Sequence, residues 1–241
     1  MPNKLILCFD FDDTLIDDSY KFELTFCDCI KVILESFETR PPQIDEILQL
    51  ARKLDNEKLA NWESALRYTP ERLLSTWLET YRKLSQSRLV EIKKHTELIL
   101  EGLVRKNYDP PYYIIPGAIE TLNTFTEKNY EMHLITIGSY EIQNKKIVHT
   151  GLEKFFTEVH IVTNGDKTET IKSIVSKYGE DNVIMIGNSI RSDINPALNA
   201  KARAIYIPRG SWHLFNAEPI NDTYITISSI TQVISVIENL I

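Results

Sequence analysis

Five short apolar runs punctuate the chain: residues 5–9 (LILCF), 132–135 (MHLI), 159–162 (VHIV), 183–186 (VIMI) and 204–207 (AIYI). Each is too short for a helix and lacks polar alternation, the pattern of a parallel strand buried on both faces. Between the later runs the apolar spacing becomes helical. Residues 117–128 place Ile119, Leu122 and Phe125 on one face, residues 168–178 place Ile171, Ile174, Val175 and Tyr178 together, and a helix is expected from Tyr140 to His149. A last helix carries Ile230, Val233, Ile234 and Ile237. Strands alternating with helices predict an α/β fold, a Rossmann-like sheet that is mainly parallel.

Residues 19–112 break this rhythm and hold no strand-like run. Thr69-Pro70-Glu71 is a helix start: a hydroxyl cap, a proline at the first position and an acid at the positive end of the dipole. Leu73, Leu74, Trp77, Leu78, Tyr81 and Leu84 follow at helical spacing, as a core-facing stripe. Pro41-Pro42 and Asp109-Pro110-Pro111 punctuate the block. The expected organisation is an α/β domain of residues 1–18 and 113–241 with an all-helical domain, 19–112, inserted after the first strand.

Composition changes the picture only where charge is concerned. The 27 basic and 34 acidic residues leave a net charge of −7. Residues 19–112 are neutral, so the acidic excess belongs to the α/β part, where Asp10, Asp12, Asp13, Asp17 and Asp18 crowd together. An acidic chain without a basic tract is poorly suited to nucleic acid. No apolar stretch reaches the roughly 18 residues of a membrane span, and the N-terminus does not read as a signal peptide. The three cysteines, Cys8, Cys27 and Cys29, form no disulfide framework, which points to the cytoplasm. None of the five histidines shows zinc-ligand spacing along the chain.

Four segments carry candidate chemistry, each at the end of an expected strand, where open α/β sheets bind ligands. The first is DFDDTL at 10–15, with Asp10, Asp12 and Thr14 at alternate positions. Two carboxylates about 4 Å apart repel by about 4 kcal/mol at an effective dielectric near 20. A cation must offset this, or one group stays protonated. The second is LITIGS at 134–139: Thr136 ends a strand, and Ile137, Gly138 and Ser139 lead into a helix whose first N–H groups suit a phosphate. The third is Lys167 after Asn164-Gly165-Asp166, preferred over Lys172 because it precedes the helix. The fourth is GNSIRSD at 187–193, in which Asn188 and Asp193 place oxygen-bearing side chains at a strand end.

Taken in this order, the four segments resemble the motifs of the haloacid dehalogenase (HAD) superfamily, and the resemblance covers about 10–20 and 114–241. The DxDxT motif matches closely, while GNSxxSD stands where the family usually has GDxxxxD. The resemblance implies a HAD-like catalytic core with a helical cap. It implies a Mg²⁺-dependent phosphatase in which Asp10 attacks phosphorus and Asp12 acts as acid and then base. Thr136 and Lys167 would stabilise the phosphoryl group, with Thr14, Ile137, Gly138 and Ser139 around it. The metal would be held by Asp10, the backbone carbonyl of Asp12, Asn188 and Asp193. Asn188 in place of aspartate implies a looser metal.

Asp12 favours a phosphomonoester hydrolase, because an alkoxide leaving group needs a proton whereas a halide does not. A phosphomutase or phosphonate hydrolase of the same superfamily is the alternative, as is a non-catalytic phosphate-binding regulatory protein. A cap closing over the site favours a small-molecule phosphorylated substrate. Lys21, Arg67 and Tyr68 could reach it, though surface placement is the simpler reading, and Trp212 would flank the entrance. The sequence is silent on oligomeric state.

Overall fold

The computed structural model describes residues 5–61, 67–210 and 218–240. Trp212 and His213 lie outside the described residues. The elements, in chain order, are β1 (Ile6–Phe9), α1 (Asp18–Ser36), α2 (Ile44–Asn61), α3 (Pro70–Ser87), α4 (Lys94–Asn107), α5 (Ala118–Glu127), β2 (Glu131–Ile137), α6 (Tyr140–Thr150), β3 (Glu158–Val162), α7 (Thr168–Tyr178), β4 (Val183–Gly187), α8 (Asn195–Asn199), β5 (Arg203–Tyr206), β6 (Ile225–Thr226) and α9 (Gln232–Asn239). A π-helical turn, Ile190–Ile194, joins β4 to α8. The chain divides into two compact units, Met1–Ser19 with Pro111–Ile241, and Tyr20–Pro110.

The first unit holds a six-stranded sheet in the order β3-β2-β1-β4-β5-β6, with every pairing parallel. The fold is therefore α/β with a Rossmann-like parallel sheet, as expected. The apolar runs account for five of the strands. β1 is buried along its whole length because both faces are covered. Leu7 and Phe9 point to a cluster with Leu122, Phe125, Val233 and Ile237, beneath α5 and α9. Ile6 and Cys8 point the other way, to Ile171, Ile174, Ala197 and Met185, beneath α7 and α8. One face of α5 differs from expectation. Ala118, Thr121, Leu122 and Phe125 face inward, whereas Ile119 is 45% exposed. The inward stripe runs through a threonine and an alanine, which apolar counting overlooks.

Strand order places the reactive end. β1 lies between β2 and β4, so the chain crosses to one side for β2 and β3 and to the other for β4 to β6. Such a reversal opens a crevice beyond the carboxyl ends of the central strands. The loop after β1 is tight: the N–H groups of Leu15 and Ile16 both donate to Phe11 O, at 2.9 and 3.1 Å. The outgoing chain is tied to the returning one by Asp17 N–H to Tyr113 O (2.8 Å) and Ile115 N–H to Leu15 O (2.9 Å).

In the second unit the described elements are helices. α3 begins at Pro70 with Thr69 at its cap position. Its buried face is Leu73, Thr76, Trp77, Thr80, Tyr81 and Leu84, so Leu74 and Leu78 of the expected stripe sit at its margin. Trp77 meets Phe26 edge-on, with ring centroids 4.9 Å apart. Arg72 is buried and ion-paired to Asp55, whose Oδ1 also accepts the Thr76 hydroxyl at 3.1 Å. Among the cysteines, Cys8 and Cys29 are buried and Cys27 is exposed, all as free thiols.

Candidate active site

Asp10 extends β1 by one hydrogen bond, its N–H donating to Ile186 O at 2.9 Å. Its carboxylate therefore emerges at the strand end and is buried. Oδ2 accepts the Thr14 hydroxyl at 2.9 Å, and Oδ1 accepts Lys167 Nζ at 2.5 Å. The same ammonium donates to Asp193 Oδ1 at 2.6 Å. Asp193 Oδ2 in turn accepts the N–H of Ser189 at 2.9 Å. Groups following β1, β3 and β4 thus converge on one buried cation.

The electrostatics follow from that geometry. The two carboxylates lie no more than about 5 Å apart, where like charges repel by about 3 kcal/mol at an effective dielectric near 20. Burial, with Asp193 beside it, pushes the Asp10 carboxyl up to about 7 against the pull of Lys167. Burial also opposes charge on Lys167, but Asp10 and Asp193 outweigh it and hold its pKa above the usual lysine value. A buried ammonium between two carboxylates stays charged. Lys172, the other candidate, is exposed and pairs with Glu169 at 2.8 Å.

Gly187 makes the Asp193 position possible. A Cβ there would stand 2.4 Å from Asp193 Cγ and 2.5 Å from Oδ2, well inside contact. The carboxylate folds back over bare backbone. Asn188 is buried and donates its amide nitrogen to Arg209 O at 2.9 Å, so its side-chain oxygen is the atom left to act as a ligand. Ser189 caps the π-helical turn, accepting from Ser192 N–H at 3.2 Å. Thr136, the last residue but one of β2, has a buried hydroxyl with no hydrogen-bond partner among the described residues. Such a group costs about 1–3 kcal/mol of desolvation unless something completes it.

Asp12 is held differently. Its Oδ1 accepts Lys146 Nζ at 2.9 Å and its Oδ2 accepts Gln143 Nε2 at 2.6 Å. Lys146 Nζ also lies 2.8 Å from Asp18 Oδ1. Burial disfavours charge on Lys146, but Asp12 and Asp18 more than compensate and raise its pKa. Gln143 and Lys146 are one helical turn apart on α6, three and six residues from its start, and both are buried. A lysine and a glutamine mid-helix ordinarily read as solvated, so only the facing of α6 toward the strand ends could have revealed them. Asp13, between Asp12 and Thr14, is tied to its own loop. It is fully buried and accepts the Asp18 and Ser19 N–H groups at 3.1 and 2.8 Å and the Ser19 hydroxyl at 2.5 Å.

The structure thus brings together Asp10, Thr14, Lys167 and Asp193, and sets Thr136 and Asn188 at the ends of the adjoining strands. The Asp12 carboxylate is turned to α6 instead. The N–H of Gly138, expected beside the phosphate, donates to Val162 O at 3.1 Å, next to the last β2–β3 pair, Ile137 and Val162. Ser139 takes the cap position of α6, its side chain making no cap bond and its carbonyl accepting Gln143 N–H at 3.0 Å.

Comparison with known proteins agrees with this architecture. A family model described as haloacid dehalogenase-like hydrolase matches residues 5–201. The chain is 23% identical over 241 residues to a glyceraldehyde 3-phosphate phosphatase of Pyrococcus furiosus, covering 97% of this chain and 92% of that one. It is 25% identical over 118 residues to a pyrimidine 5′-nucleotidase of Streptococcus pneumoniae, spanning 46% of this chain and about half the length of that relative. Among solved structures, a haloacid dehalogenase-like family hydrolase from Xanthomonas campestris superposes with a TM-score of 0.76 at 20% identity, covering 99% of this chain and 96% of that one.

Proposed function

The chain belongs to the haloacid dehalogenase-like hydrolases, and from that premise we propose that it is a Mg²⁺-dependent phosphatase that cleaves small phosphomonoesters through an aspartyl-phosphate on Asp10. The observation that carries the reading is the buried triad of Asp10, Lys167 and Asp193 at the carboxyl end of β1. The relatives named as a phosphatase and a nucleotidase support the same chemistry.

The donor set suits a hard cation. Asp10, Asp193 and the Asn188 side-chain oxygen are all oxygen ligands at adjacent strand ends, and the backbone carbonyl of Asp12 completes the proposed set with waters. When bound, Mg²⁺ supplies positive charge to the phosphoryl oxygens and favours the ionised form of Asp10.

The chain's own residues then do the following. A carboxylate oxygen of Asp10 forms a bond to phosphorus as the bond from phosphorus to the leaving alkoxide breaks. Asp12 gives that oxygen its proton, then removes one from the water that attacks the phosphoryl-enzyme. In the second step the bond from phosphorus to Asp10 breaks, returning the carboxylate and releasing inorganic phosphate. Lys167 offsets the charge that accumulates on the phosphoryl oxygens, and the Thr136 hydroxyl completes its hydrogen bond there. For its acid and base role Asp12 leaves Gln143 and Lys146, which hold its carboxylate toward α6, and turns to the ester oxygen.

Hydrolysis of p-nitrophenyl phosphate and a panel of small phosphate esters, with Mg²⁺ and with EDTA, tests the reading. Turnover that needs Mg²⁺ is expected; failure with every ester in the panel would sink it. Two substitutions probe the ligands. Gly187→Ala drives a methyl into the Asp193 carboxylate, and we expect kcat to fall about 100-fold, the scale on which a small misplacement acts. Asn188→Asp adds one negative charge, so the Mg²⁺ concentration for half-maximal rate should drop several-fold. An unchanged or higher value would remove Asn188 from the site.

A further inference from the structure

On the same unit, away from the strand ends, β2 and β3 repeat one small pattern: Glu131-Met132-His133 and Glu158-Val159-His160. Alternation puts Glu131 and His133 on one face of the sheet, and Glu158 and His160 on that same face of the neighbouring edge strand. The parallel register sets His133 against Glu158. Spaced 27 residues apart along the chain, the two histidines show no ligand spacing in sequence; across the ladder they meet.

We propose that His133, His160 and Glu158 form a second metal site, for Zn²⁺ or a similar borderline divalent ion, distinct from the proposed Mg²⁺ site. His133 Nδ1 lies 3.4 Å from His160 Nε2, Glu158 Oε2 lies 3.3 Å from His160 Nε2, and His133 Nδ1 to Glu158 Oε2 is 4.0 Å. Ligands about 2.0–2.1 Å from a tetrahedral zinc stand about 3.3–3.4 Å from one another. Two edges of the triangle already have that length, and the third needs a shift of about half an ångström.

The surroundings prepare the atoms for this. His133 is buried, and its Nε2 lies 3.1 Å from Glu131 Oε1. A carboxylate accepts there, so the proton sits on Nε2 and the lone pair of Nδ1 points into the triangle. Glu131 is itself fixed by the Tyr178 hydroxyl. A carboxylate behind a ligating imidazole is the usual outer support of a zinc histidine. Lys177 Nζ lies 3.7 Å from Glu158 Oε1, leaving Oε2 to the ring nitrogens. The rings of His133 and His160 stand nearly parallel, 20° apart with centroids 5.6 Å from one another. The cluster opens onto a cavity of about 360 Å³ that Thr170 and Ser173 also line, room for water as the fourth ligand. Nitrogen donors select zinc over magnesium. His133 is three residues from Thr136, roughly 10 Å along the strand, so the two sites are separate.

Calorimetric titration of the full chain with ZnCl₂, in buffer stripped of metal, is the test. One equivalent should bind with micromolar or tighter affinity. His160→Ala should weaken it at least 30-fold, while Asp193→Asn should leave it unchanged. Zinc should raise the Tm of the wild type but not of His160→Ala. If the alanine variant unfolds, Glu158→Gln, at a half-exposed position, should weaken binding about 10-fold. CoCl₂ should give the visible absorption of a four-coordinate nitrogen and oxygen complex in the wild type alone. No binding at micromolar zinc, or binding that survives His160→Ala and is lost in Asp193→Asn, would overturn the proposal.

Discussion

Asp10→Asn should abolish turnover, lowering kcat at least about 10³-fold, because the substitution keeps the shape of the side chain and removes only the oxygen proposed as nucleophile. The surrounding contacts argue that the variant still folds. An asparagine can receive the Thr14 hydroxyl that Asp10 accepts at 2.9 Å, and Lys167 keeps Asp193 at 2.6 Å. Removing a buried negative charge also relieves the crowding that pushes the Asp10 carboxyl up to about 7. Activity and stability should therefore part company. Steady-state assays beside a thermal melt make the comparison. A variant that melts like the wild type yet keeps more than a tenth of its rate would eliminate Asp10 as nucleophile.

Lys167→Met should be the most destabilising single change in the site. The ammonium is 1% exposed and stands 2.5 and 2.6 Å from two carboxylates. Methionine fills the space but leaves two buried anions facing each other. Breaking a buried ionic cluster by removing one partner costs about 3–5 kcal/mol, a drop in Tm on the order of 10 °C for a chain this size. A divalent cation between the same carboxylates would replace the lost charge, so Mg²⁺ should return much of that stability. It should not return the rate, which we expect to remain about 100-fold down, because on the proposed mechanism the developing phosphoryl charge has lost its counter-ion. Melts with Mg²⁺ and with EDTA decide it. A Tm loss of the same size in both would detach Lys167 from the cation site.

Much of this arrangement was legible in the residues. The central strands announce themselves because burial on both faces forbids polar alternation, as in LILCF and VIMI. Asp10 follows β1 directly, and Lys167 and Asp193 lie in the turns after β3 and β4, so topology carries all three to one edge. What stayed hidden depends on pairing rather than on local pattern. β6 is two exposed residues, Ile225 and Thr226, paired to β5. Lys146 and Gln143 read as solvated helix residues until α6 is laid over the strand ends. The orientation of Asp12 toward them follows from that placement. The histidine pair needed the register of two strands, and a one-residue slip would have turned His133 and His160 to opposite faces. Gly138 reads as an open phosphate donor, but the sheet engages its N–H two residues beyond the expected strand end at Thr136.

The stitching of residues 15–17 to residues 113–115 has an evolutionary corollary. The chain leaves the sheet unit and re-enters it at points one hydrogen bond apart, with Asp17 N–H on Tyr113 O. Whatever lies between begins and ends at a closed seam, and the cost of closing a loop grows only slowly with its length. The interval is thus a socket. An interval closed in this way can change length at small entropic cost to the sheet unit that holds it.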